Sequence, residues 1–164
     1  MTHGHPTYLL DTTVLSNFAH VRRADLPPRV LGPHLAVTPG VMAELRAGEQ
    51  AGLVPTCDWT CLAVITPTTA ELATASALER QLDPGEAECL AVALQRGYRF
   101  LSDDFAARRL AKAKGITVSG TIGILLKSVA VGALSLPVAD QLLAGMIARG
   151  YRAPVRSLRE LTAG

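Results

Sequence analysis

The stretch DPGEAECLAVALQRGYRFLSDD, residues 83–104, runs through a helix, a turn and a strand in immediate succession. Asp83 and Pro84 supply a helix start, the alanine- and leucine-rich run that follows has helical spacing, and Gly97 supplies the stop. YRFLS then reads as a short apolar strand. It ends in two adjacent carboxylates, Asp103 and Asp104. One acid at a strand-to-helix junction is an ordinary helix cap. Two ask for a second cause.

The same alternation extends outward in both directions. Upstream, TYLLD is a first strand and TTVLSNFAH a helix. HLAVTP is a second strand, opening through Thr38 and Pro39 into the helix PGVMAELRAG, which Gly48 is expected to end. CLAVITP is a third strand, followed by the helix TTAELATASALERQL. Glu49 to Thr60 carries no clear element. Downstream come the helix DFAARRLAKAKG, a fifth strand ITVSG, the helix TIGILLKSVAVGAL and a last helix near VADQLLAGMIARG. Strands alternating with helices predict a three-layer α/β/α sandwich on a mainly parallel sheet of four or five strands. One domain over 1–164 is expected, with a core near 7–132 and a C-terminal helix and basic tail over 133–164.

The bulk composition agrees. At 164 residues, with 49% apolar and 18% charged residues, the chain can bury a real core and is not a disordered one. A net charge of +2 does not by itself imply nucleic-acid binding. The three cysteines, Cys57, Cys61 and Cys89, show no C-x-x-C or Cys/His spacing, which argues against a zinc site or a disulfide framework. His3 and His5 read as part of a tail. The most apolar region, residues 115–136, carries Lys127 and several glycines, so a core helix is expected and not a membrane span. No secretory signal is visible, and a soluble cytoplasmic protein is expected.

In an open parallel sheet, functional groups collect beyond the carboxyl ends of the strands. Asp11 ends the first strand, Glu44 follows the second, Glu86 opens the helix before the fourth, and Asp103 and Asp104 end the fourth. Each has a local alternative. Asp11 and Asp104 suit helix caps, Glu44 suits a solvated helix face, and Asp83 with Glu86 fits a capping box. Jointly the acids pose an electrostatic problem, since like charges about 4 Å apart repel by roughly 4 kcal/mol at an effective dielectric near 20. A hard divalent cation such as Mg2+ or Mn2+ removes that penalty.

Four blocks in order resemble the PIN-domain family, compact metal-dependent ribonucleases that include VapC-like toxins. They are YLLDTTVLSN, AVTPGVMAEL, GEAECLAVALQRGYRFLSDD and GITVSGTIGILL. The last resembles the ending of one PIN branch. The resemblance implies Asp11, Glu44, Glu86 and Asp104 as the catalytic acids, with Asp11, Glu86 and Asp104 at the metal and Asp103 as a helper there. Ser102 and Thr12 are implied as supporting hydroxyls. Glu86 stands where VapC-like members commonly have Asp.

The implied activity is Mg2+- or Mn2+-dependent hydrolysis of RNA. A toxin–antitoxin role, a small antitoxin protein as partner, and a homodimer are implied with it. Arg108, Arg109 and Lys112 on one helix, together with Arg22, Arg23 and the tail arginines, would contact the RNA phosphates; a solvated face is the plain alternative for each. Tyr151 is either a base-stacking ring or a packing residue. Two other readings stand beside this one. A PIN-like module without chemistry would bind RNA or protein but no metal. A phosphatase using Asp11 as nucleophile would want a second aspartate two residues on, where Thr13 stands.

Overall fold

The computed structural model describes residues 7–162, so the His3 and His5 pair lies outside the described residues. In chain order the elements are β1 (Tyr8–Leu10), α1 (Thr12–His20), α2 (Leu26–Leu31), β2 (Leu35–Val37), α3 (Pro39–Gln50) and β3 (Ala63–Val64). Then come α4 (Thr69–Leu78), α5 (Pro84–Arg96), β4 (Arg99–Leu101), α6 (Phe105–Ala113), β5 (Val118–Ser119), α7 (Thr121–Ala130), α8 (Leu136–Ala148) and α9 (Arg159–Thr162). The five strands form one parallel sheet in the order β3-β2-β1-β4-β5. Helices cover both of its faces, giving the three-layer sandwich. One group packs as α4, α5 and α6, and another as α1, α2, α7 and α8.

The strand order decides where function can sit. The chain moves one way from β1 to β2 and β3, then returns to the other side of β1 with β4. The switch point therefore falls between β1 and β4, the place where functional groups collect in open parallel sheets. Leu10 pairs with Leu101 in register, and the Asp11 N–H donates to the Leu101 carbonyl at 3.0 Å. Asp11 and Ser102 thus leave the sheet side by side.

The centre of the molecule is α5. Its Ala87, Cys89, Leu90, Ala91, Val92 and Ala93 are all fully buried, and small side chains let the helix lie close to β1 and β4. Gly97 ends it in the left-handed conformation, at φ 69°, which costs glycine little. Phe18, Phe100, Leu9, Leu10 and Leu101 are among the largest fully buried side chains of the core. Each fully buried side chain of this kind contributes about 1.5–3 kcal/mol of transfer free energy.

Some expectations needed correction. Gly48 does not end α3, which continues to Gln50. The glycine is there because Val54 folds back onto it, and a Cβ at position 48 would stand 2.9 Å from a Val54 methyl. The segment after α3 is held by Glu49, whose carboxylate accepts from Cys57 N at 3.1 Å and Trp59 Nε1 at 2.7 Å. Leu26–Leu31 forms a helix that sequence periodicity did not show, because two prolines interrupt it. The apolar 115–136 region is divided among β5, α7 and the start of α8. No helix among the described residues is long and apolar enough to cross a membrane. The three cysteines are free thiols.

Candidate functional site

Asp11 sits at the N-cap of α1 and is fully buried. One carboxylate oxygen, Oδ1, accepts from Thr13 N at 3.0 Å, Thr13 Oγ1 at 2.5 Å and Val14 N at 3.3 Å. That is the helix cap. The other oxygen, Oδ2, is buried with no hydrogen-bond partner. An unpartnered buried carboxylate oxygen is costly, so it marks a place where another group is called for. Burial pushes the Asp11 carboxyl up to about 7; the Ser102 hydroxyl, close by but forming no hydrogen bond of normal geometry to it, and the Thr13 hydroxyl pull it down, and the Asp103 charge adds to the rise.

Glu86 lies in the first turn of α5 and is also buried. Burial, followed by the charges of Asp11, Asp104 and Asp83, raises it to about 8. The capping box expected here is not completed, because the Asp83 side chain makes no capping hydrogen bond. Asp104 caps α6 through Oδ2, which accepts from Ala107 N at 2.8 Å. Ser102 is buried between them and its hydroxyl accepts the Asp104 N–H at 3.1 Å. Asp11, Glu86 and Asp104 therefore share one electrostatic neighbourhood at the switch point. Among the described residues no three acids, histidines or cysteines are drawn into a ready metal cage, a geometry that mutual repulsion resists.

Glu44 is not on a solvated face. Its Oε2 accepts from Thr12 Oγ1 at 2.6 Å and its Oε1 from Gly85 N at 2.9 Å. It links the starts of α1, α3 and α5. Glu88, which sequence reasoning missed, makes the reciprocal link: its Oε1 accepts from Gly40 N at 2.9 Å, so α3 and α5 cap each other. The signal was present in the sequence as a Pro-Gly pair followed by a glutamate in both PGVMAE and PGEAE. Orphan N–H groups at each helix start, together with the positive end of the helix dipole, favour a carboxylate there.

Asp103 and Arg108 hold other posts than expected. The Asp103 carboxylate faces α7, where Oδ1 accepts from Thr121 N at 2.9 Å and Tyr151 Oη at 3.3 Å. Its Oδ2 accepts from Asn17 Nδ2 at 2.9 Å and from the Thr121 hydroxyl. Four donors saturate it, so it anchors α7 and the C-terminal segment instead of standing free as a helper. Thr13 couples the two strand ends, since its hydroxyl donates to Asp11 and accepts the Asp103 N–H at 2.9 Å. Tyr151 is a packing residue, and burial with the Asp103 charge raises its phenol.

Arg108 donates to the carbonyls of Ser102 and Ser119, both at 2.8 Å, clamping the ends of β4 and β5 together. Its helix neighbours Arg109 and Lys112 are exposed. Arg23 is engaged with Asp25 at 2.9 Å.

A family model described as a PIN domain matches residues 7–163. The chain belongs to the PIN-domain family, whose members are generally nucleases that use divalent metals. No curated protein matches it.

Proposed function

We propose that the chain is a divalent-cation-dependent endoribonuclease whose site is the acidic crevice between β1 and β4. The observation that carries this reading is the unpartnered, buried Asp11 Oδ2 beside a second buried acid, Glu86. The donor set fits Mg2+ or Mn2+, because it consists of hard carboxylate oxygens with no thiol or imidazole among them. Asp11, Glu86 and Asp104 would hold the ion. Bound there, it supplies positive charge for the phosphoryl oxygens and polarises water for in-line attack.

The chain's own residues prepare that chemistry. Thr13 and the α1 backbone fix one oxygen of Asp11, leaving the other without a hydrogen-bond partner. Ser102 supports Asp104 through its backbone N–H and lies beside Asp11. Glu44, held by Thr12 and Gly85, fixes the helix starts that carry Asp11 and Glu86 and keeps negative charge at the crevice mouth. Arg109 and Lys112 attract the phosphate backbone without regard to sequence.

The test is cleavage of several structured RNAs with and without Mg2+ or Mn2+. Metal-dependent products lost in Asp11→Asn support the reading; intact RNA with wild-type protein sinks it. A PIN-like module that binds but does not cut is the second reading, favoured by the hydrogen bonds that already engage both oxygens of Glu44. Mn2+ titration by calorimetry separates the two, because the inert module takes up no ion. A toxin role, a small antitoxin partner and a homodimer rest on the sequence resemblance to VapC-like proteins. Growth arrest on expression, relieved by Asp11→Asn, tests the first of these.

A further inference from the structure

Of the seven aromatic residues in the chain, six are wholly or partly buried and one is exposed. Phe18 and Phe100 are completely buried, whereas Phe105 is 78% exposed, the most of any large apolar side chain among the described residues. Its place is specific. It is the first residue of α6, directly after Asp104. The helix start around it is fixed by the Asp104 cap on the Ala107 N–H and by Arg108, which reaches the Ser102 and Ser119 carbonyls. The ring forms a ridge between two hollows. One, of about 410 Å³, is walled by Val118, Ile122 and Arg152. The other, of about 460 Å³, contains Leu82 and Arg109. Arg109 is four residues on from Phe105 and so shares its helix face.

An apolar ring left in water beside an acidic crevice, with exposed arginines in the hollows on either side, matches what single-stranded nucleic acid needs: a face for a base and cations for its phosphates. We propose that Phe105 is a stacking platform for an unpaired nucleobase flanking the phosphodiester at the acidic crevice. A duplex cannot offer a base face to the ring without unstacking it. The inference rests on the ribonuclease reading and assigns a substrate contact to a residue outside the acidic set.

The experiment measures the affinity of the full chain, in EDTA, for a short unstructured oligoribonucleotide and for a hairpin duplex, by fluorescence anisotropy. Phe105→Ala should weaken single-strand binding about tenfold and leave duplex binding unchanged, while Phe105→Trp should retain affinity and show fluorescence quenching by the single strand. Unchanged affinity in Phe105→Ala overturns the inference, as does a wild type that binds neither RNA. So does a Phe105→Ala protein that binds RNA normally but changes its oligomeric state on gel filtration, which would assign the ring to a contact between copies. Asp11→Asn run in parallel keeps the two readings apart. Loss of cleavage in Asp11→Asn with normal binding by Phe105→Ala removes the stacking role and leaves the nuclease. Phe105-dependent binding by a wild type that cuts no RNA removes the nuclease and leaves the platform.

Discussion

The Glu44 carboxylate lies 2.9 Å from the Gly85 N–H, and a Cβ at position 85 would come within 2.5 Å of its carboxyl carbon. No side chain fits between them without moving Glu44. Gly85→Ala should therefore push Glu44 off both Gly85 and Thr12 and loosen the joint between α3 and α5. A loss of about 1–3 kcal/mol is expected from such overpacking, read as a lower denaturant midpoint, with RNA cleavage reduced as well. An unchanged midpoint would show that α5 can shift without cost.

Asp11→Asn removes a charge that the buried site holds at a penalty. Under the ribonuclease reading it abolishes cleavage. It should also raise the melting temperature of metal-free protein at pH 8 by several degrees, since about 1 kcal/mol corresponds to roughly 2–4 °C in a domain of this size. A melting temperature lowered by several degrees would mean that the Asp11 charge stabilises the fold.

The pH dependence follows from the same two groups. Asp11 moves from an ordinary 3.8 to about 7 and Glu86 from 4.5 to about 8. Raised carboxyls bind more protons in the folded state, so their contribution is greatest below the unfolded values and is lost as pH rises through the folded ones. Between pH 5 and 8 the metal-free wild type should lose stability relative to Asp11→Asn. The loss from Asp11 is about 1.4 kcal/mol per pH unit up to pH 7. Mn2+ should restore more stability at pH 8 than at pH 5. Parallel melting curves for the two proteins across this range would contradict the assignment.

Glu71 is almost completely buried and accepts two bonds from Arg96, at 2.7 and 2.9 Å. Beyond capping α4 it ties that helix to the end of α5. Arg96→Ala leaves the Glu71 carboxylate without its charged partner and should cost about 1–3 kcal/mol, measured by denaturation. The site lies at the other end of α5, so cleavage per folded molecule should hold.

Arg108 and its neighbours separate by role. Arg108→Ala gives up two hydrogen bonds to carbonyls and should cost about 1–3 kcal/mol. Arg109→Ala with Lys112→Ala should leave the melting temperature alone, weaken RNA binding and flatten its salt dependence. The log–log slope should fall by about 0.7 for each single-strand phosphate that is no longer neutralised. An unaltered slope would remove both from the RNA path.

The order of strands and helices was legible because parallel strands are short apolar runs and the helices between them carry their own punctuation. Thr38-Pro39, Asp83-Pro84 and Gly97 act within a few residues, so the sequence displays them directly. Even the reciprocal caps had a local sign in the repeated Pro-Gly. Less visible were α2, whose two first-turn prolines hide its helical pattern, and the loop that Glu49 gathers through Trp59.

The chain alone determined that acids would stand at the ends of β1 and β4 and near the starts of α3 and α5, since each is fixed by its own element. Which oxygens remain free was decided only in three dimensions. Asp103 and Asp104 are adjacent and chemically alike, yet Asp103 turns to four donors from α1, α7 and the C-terminal segment, while Asp104 caps its own helix. Arg108 and Arg109 divide in the same way. A side chain's partners depend on what the packing brings within about 3 Å: Asp103 draws Asn17 from 86 residues away and Tyr151 from 48, and Arg108 bridges the ends of two neighbouring strands.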